Sequence, residues 1–218
     1  EELTVFEEDL RKIINSSDNF LKKDLENFMF KGAKRLRPIF VLLFSKILKI
    51  ENSALPLKIA LAVELFHNAS LVHDDIIDLE KTRRNDLTLV EKYGSKLAVL
   101  EGDLLLSFGL KELSETNLEI LKIFSDKIQK TLSGEIEQNS TLNHFLNEEE
   151  YLNKTFNKTG NLFFAGLESL FCLKEINKNE KNSLLKFLKN YTLAFQIKND
   201  IDNFKENSSS DFENGNYT

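Results

Sequence analysis

The sequence predicts an all-α fold, and three observations carry that expectation. Only two prolines and eight glycines interrupt 218 residues. Leucine, lysine, glutamate, phenylalanine, isoleucine and asparagine dominate the composition, and apolar residues recur at three- and four-residue spacing without the alternation that marks strands. Side chains of this kind at that period bury one stripe of a helix and leave the other face wet, so long helices joined by short polar turns follow. A chain of this size buries a core without disulfide staples, and we expect one domain over residues 1–218.

Taken in order, helices are predicted around 3–15, 20–31, 35–49, 55–77, 89–112, 117–140, 148–171 and 179–205. Asn52-Ser53, Asn85-Asp86, Asn143 to Asn147 and Asn177 to Asn179 are the polar breaks between them. Pro38 and Pro56 stand where a first helical turn tolerates proline, because the missing N–H has no intrahelical partner there. The stretch from Lys205 to Thr218 has the composition of a loop. An all-α domain seldom ends on a polar loop with nothing docked after it, so C-terminal helices beyond Thr218 are expected.

Charge narrows the function. A formal net charge of −6 opposes any general affinity for nucleic acid or anionic membrane, both of which need a broad basic face, so an anion site here must be local. The longest uninterrupted apolar run, Ile39 to Phe44, is far short of the ~20 residues of a membrane span, and a soluble protein with no transmembrane segment is expected. The single cysteine, Cys172, lies in Leu170-Phe171-Cys172-Leu173 and reads as a buried small hydrophobe, which suits a reducing, cytoplasmic location.

The strongest local signal is His73-Asp74-Asp75-Ile76-Ile77-Asp78, at the end of an apolar helix. Asp74 and Asp78 are four residues apart, which on a helix places two carboxylates on one face, one turn apart. They repel each other there, and the negative end of the helix dipole adds to the conflict. A hard divalent cation resolves it; Mg²⁺ in particular is shared between one or two carboxylates and substrate phosphates. Arg83-Arg84 follows, and guanidinium groups are forked donors for phosphate oxygens. Lys34 and Arg37 form a second basic group, preceded by Gly32, which permits a tight turn. Two anion sites flanking one metal site make a two-diphosphate arrangement.

At this point the chain resembles the trans-isoprenyl diphosphate synthases, the polyprenyl synthetase family. Gly32-Ala33-Lys34-Arg35-Leu36-Arg37-Pro38 is similar to that family's Gly-Gly-Lys-Arg-x-Arg-Pro, and Glu64 to Asp78 to its first aspartate-rich helix. Leu100-Glu101-Gly102-Asp103-Leu104-Leu105, Gly134-Glu135-Ile136-Glu137-Gln138, Lys158-Thr159-Gly160 and Ala194-Phe195-Gln196-Ile197 follow in the family's order. The resemblance implies an isoprenoid-synthase helical bundle with a central cavity, a prenyltransferase activity, Mg²⁺ as cofactor and a homodimer. It further implies that Lys34, Arg37, His67 and Arg84 hold the diphosphate of isopentenyl diphosphate. Asp74 and Asp78 are then the Mg²⁺ ligands on an allylic prenyl diphosphate, with Arg83, Lys158 and Gln196 on the same ligand, Thr159 beside it, and Asn199 at a third metal.

Departures from the family pattern cluster in the second acidic motif, normally Asp-Asp-x-x-Asp and here Asn199-Asp200-Ile201-Asp202-Asn203. An amide oxygen still coordinates Mg²⁺ but brings no charge, so weaker binding at Asn199 is expected. Asp202 does not replace Asn203, because residues two apart do not share a helical face. Asn216 stands where the family has lysine; Lys198 or Lys205 is a candidate to restore the charge. Ala69 and Ser70, one turn before the aspartates, are small and leave a path for a long allylic tail, with Phe66 deeper on the same helix as its candidate floor. A product longer than farnesyl diphosphate follows. Two other readings compete: a degenerate, non-catalytic subunit of a heteromeric synthase, motivated by the three asparagines, and a class I terpene cyclase, which has no need of Lys34, Arg37, His67 and Arg84.

Overall fold

The computed structural model describes residues 1–17, 20–52, 54–140 and 147–205. The expectations at Asp211 to Thr218, Asn216 included, lie outside them, as do those for the side chains of Asn203 and Lys205. The chain divides into two compact units, Glu1–Leu118 and Glu119–Thr218. Both are helical, as the sequence predicts.

The first unit holds α1 (Glu2–Asn15), α2 (Lys22–Phe30), α3 (Leu36–Ile47), α4 (Ala54–Ile77), a hairpin of β1 (Thr82–Arg83) with β2 (Asp86–Leu87), α5 (Leu89–Tyr93) and α6 (Ser95–Ser114). Its centre is α4, whose Ile59 to Phe66, Ala69 and Val72 are buried. The antiparallel pairing of α4 with α6 is pinned at both ends. Lys58 Nζ lies 3.4 Å from Glu112 and 2.5 Å from Glu115, and His73 Nε2 lies 3.5 Å from Asp103. Glycines on α6 let the helices approach: a Cβ on Gly102 would sit 2.2 Å from the His73 ring, and one on Gly109 3.0 Å from the Phe66 ring.

Three differences from the sequence expectation have physical causes. Residues 89–112 form two helices because Gly94, at φ +79, breaks the run. The polar break at Asn85-Asp86 is a two-stranded hairpin pairing Thr82 with Leu87 and Arg83 with Asp86. The third concerns α4, which among the described residues is the one helix long and apolar enough, by length and composition, to cross a membrane. Single polar residues such as Glu64, His67 and Asn68 divide it into short apolar runs. However, 67% of its apolar window is buried inside the protein, as in a core helix.

The second unit holds α7 (Leu118–Ser140), α8 (Glu148–Thr155), a π-helical segment (Phe156–Gly160), α9 (Asn161–Phe171) and α10 (Lys178–Lys205). α8 opens on a capping box, in which Asn147 accepts from the backbone of Glu150 and Glu150 accepts in return. α9 is almost wholly buried and forms the core of this unit. Cys172, expected inside, is half-exposed: α9 ends at Phe171, so the thiol sits on the rim of that core and donates weakly to the carbonyl of Glu168 at 3.7 Å.

Candidate active site

The basic groups of the first unit meet because two tight turns interlock. Arg84 and Asn85, at φ +53 and +59, are the two loop residues of the hairpin, the backbone of a type I′ turn. Arg84 reaches from that turn to the end of α2, where its Nη1 donates to the carbonyls of Phe28 at 3.1 Å and Lys31 at 3.4 Å. Gly32, at φ +65, turns the chain there, and a Cβ on it would lie 3.6 Å from the Arg84 side chain. Lys31 closes the loop by donating to the carbonyl of Asn85 at 3.4 Å.

Beneath the turns lies a buried anion. Glu64 on α4 is 3% exposed, accepts from Arg35 at 2.7 Å and counters the charges of Arg37 and Arg84 as well. Burial lowers the Arg37 pKa to about 10, with Glu64 opposing. His67, one turn further along α4, has its pKa held well below the ordinary value. Burial is the main cause, followed by the fields of Arg37, Arg84, Arg83 and Arg35. The ring is therefore neutral at pH 7, a hydrogen-bonding group among cations. Lys34, three residues before Arg37, is exposed. Arg37, His67 and Arg84, separate in sequence, thus belong to one basic cluster.

At the C-terminal end of α4 the helical hydrogen bond from Asp78 N to Asp74 O, at 2.8 Å, carries the register through the whole aspartate motif. Asp74 and Asp78 are therefore on the same face, both half-buried, while Asp75 turns inward and is 2% exposed. Arg83 Nε and Nη2 both donate to Asp75 Oδ1, at 2.7 and 2.6 Å. Among the described residues no cluster of three or more His, Cys, Asp or Glu is assembled. Two carboxylates alone suit a hard cation that takes its remaining ligands from phosphate and water, which is the habit of Mg²⁺.

In the second unit, Lys158, Thr159 and Gly160 lie in the π-helical segment, a feature the helical period gave no sign of. Single π turns inside α-helices recur at functional sites. Lys158 is exposed, with Nζ 3.3 Å from Glu135 on α7. Thr159 donates to Gln196 Oε1 at 3.2 Å; Gln196 donates to Asp200 Oδ1 at 2.8 Å, and the Tyr151 hydroxyl donates to the other oxygen of Asp200. Burial and Asp200 push the Tyr151 hydroxyl up to about 12, so it stays protonated as a donor. Asn199 is half-buried on α10. Lys198 pairs with Asp202 one turn along, which commits the charge that was its candidate contribution.

The polyprenyl synthetase family model matches residues 18–215. The chain belongs to the polyprenyl synthetase family. A prenyl transferase of Porphyra purpurea is 34% identical over 230 residues, spanning 100% of this chain and 71% of that protein. Solanesyl diphosphate synthase 1, chloroplastic, of Arabidopsis thaliana is 32% identical over 235 residues, spanning 100% and 57%. The crystal structure of heptaprenyl diphosphate synthase from Staphylococcus aureus superposes with a TM-score of 0.90 at 30% identity, covering 100% of this chain and 71% of that one. As a family member this chain is a prenyltransferase with the isoprenoid-synthase helical fold.

Proposed function

We propose that this polyprenyl synthetase condenses an allylic prenyl diphosphate with isopentenyl diphosphate, head to tail and trans, and releases a product longer than farnesyl diphosphate. One observation carries the reading: a same-face pair of carboxylates, Asp74 and Asp78, shares a unit with the basic cluster around Arg37, His67 and Arg84.

Asp74 and Asp78 would hold Mg²⁺, which when bound would stabilise the charge of the departing allylic diphosphate. Arg83, oriented by Asp75, adds positive charge in the same unit as that pair. Asn199 would be a ligand of a further metal, bound more weakly because its amide brings no charge. Breaking the allylic carbon–oxygen bond leaves the electron pair on the diphosphate and a cation on carbon. The double bond of isopentenyl diphosphate, its own diphosphate held by Lys34, Arg37, His67 and Arg84, then forms the new carbon–carbon bond before a proton is lost. A neutral His67 adds a hydrogen bond to that diphosphate without drawing further protons into the site.

Product length rests on α4. Ala69 is fully buried and small, and the ring of Phe66 packs against Gly109 of α6. That packing turns the candidate floor toward the helix interface. Homodimerisation and a cytoplasmic location complete the proposal. Incubation with Mg²⁺, labelled isopentenyl diphosphate and geranyl, farnesyl or geranylgeranyl diphosphate, followed by chain-length analysis, tests it. Products longer than farnesyl support the reading, and farnesyl as the end product refutes the length.

A further inference from the structure

Arg35 stands between the two cations assigned to isopentenyl diphosphate, yet it is turned away from them into the protein. It is 6% exposed and is the residue that opens α3, its carbonyl accepting from Ile39 N at 3.0 Å. Its backbone is left-handed, at φ +52. For a side chain larger than glycine that conformation costs roughly 1–2 kcal/mol. Something must hold it there. Nε and Nη2 donate to the two oxygens of Glu7 on α1, at 2.7 and 3.2 Å, while Nη1 donates to Glu64 on α4 at 2.7 Å. The rings of Phe6 and Phe30 lie 5.9 and 5.0 Å from its guanidinium carbon. The Glu64 carboxylate is itself fixed by Asn68 Nδ2 at 3.2 Å.

The left-handed residue sets the direction in which the chain enters α3, and so the relation of Lys34, just before it, to Arg37, on the first helical turn. We infer that Arg35 is the positioning residue that sets Lys34 and Arg37 for the diphosphate of isopentenyl diphosphate, and that Glu7, far away on α1, acts on that affinity through it. The inference rests on the assignment of Lys34 and Arg37 to that substrate. Lysine at position 35 keeps the charge but not the fork, so it cannot bind Glu7 and Glu64 at once. Glu7 is near the surface, with its side chain 35% exposed, and touches no substrate in the proposed reaction, so Glu7→Gln perturbs the anchor with little risk to folding.

The test is steady-state kinetics on the full chain with each substrate varied, for Glu7→Gln, Arg35→Lys, the double variant and Lys34→Ala. We expect Glu7→Gln and Arg35→Lys each to raise KM for isopentenyl diphosphate by about tenfold, the loss of one charge-assisted contact. KM for the allylic substrate should stay within about twofold, and the double variant should be no worse than Arg35→Lys alone, since both act on one contact. If Lys34→Ala raises that KM while Glu7→Gln leaves it unchanged, the positioning role is refuted. If Lys34→Ala itself leaves it unchanged, the substrate assignment has failed instead. A uniform fall in kcat with both KM values unchanged would reduce Arg35 to a structural residue. Should Arg35→Lys fail to fold, Glu7→Gln alone decides.

Discussion

Arg83 grips a single oxygen of Asp75, Oδ1, with two donors at 2.7 and 2.6 Å. The middle aspartate of the motif thus serves an arginine, whereas its neighbours Asp74 and Asp78 remain on the face assigned to metal. Removing its charge frees Arg83 without touching the metal pair. Asp75→Asn should raise KM for the allylic diphosphate by about tenfold and destabilise the fold by roughly 1–3 kcal/mol, the range for a charged hydrogen bond at a buried group. Kinetics and denaturant melts check both; an unchanged allylic KM would mean that Arg83 does not need its anchor.

His67 should make stability depend on pH. Its folded pKa lies well below the ordinary histidine value of about 6.5, so between the two the unfolded chain binds a proton that the folded protein does not. Stability therefore rises with pH up to about 6.5 and is lost below it, with a slope approaching ~1.4 kcal/mol per pH unit. Denaturant melts at pH 7.5 and 5.5 should show wild type losing on the order of 1 kcal/mol more than His67→Gln. Parallel losses would show that His67 titrates normally.

Gly160 allows the π-helical segment to close over Phe156. A Cβ there would meet the Phe156 ring at 2.7 Å, and that ring is held edge-on by Phe164 with centroids 5.0 Å apart. Gly160→Ala should cost about 1–3 kcal/mol by overpacking, and should lower activity through Lys158 and Thr159. Thermal melts and turnover at a temperature where the variant is folded separate the two effects.

How much of this was legible beforehand follows from what each signal encodes. Helical period and the scarcity of Gly and Pro report on local burial, so the helices and the shared face of Asp74 and Asp78 were readable. The basic cluster was readable as residue types but not as a structure. Nothing local tells that Arg35 points inward to Glu7, 28 residues away in sequence, while Arg37 lies beside His67. The same holds for Asp75, whose partner lies across a hairpin, and for Tyr151, which meets Asp200 from another helix. Side chains that position others depend on tertiary pairing. The π-helical turn was hidden because one extra residue barely disturbs the apolar period.

The path for the allylic tail that the sequence predicts beside α4 gives a further test. Ala69 is fully buried one turn before Asp74, so a phenyl group has to displace its surroundings or project toward the tail of the product. Ala69→Phe should shorten the longest product by at least one isoprene unit while leaving isopentenyl incorporation measurable. An unchanged product distribution in a folded variant would refute the tunnel reading.

The most direct test of the proposed reaction is isopentenyl incorporation by wild type and Asp74→Ala, with Mg²⁺ and an allylic starter, each protein shown to be helical by circular dichroism. We expect elongated products from wild type and a loss of about 10²-fold or more in Asp74→Ala, the size of effect seen when a principal electrostatic contribution to a transition state is removed. Equal incorporation by the two proteins would contradict the role of the aspartate pair, and no incorporation by folded wild type with any starter would contradict the synthase activity itself.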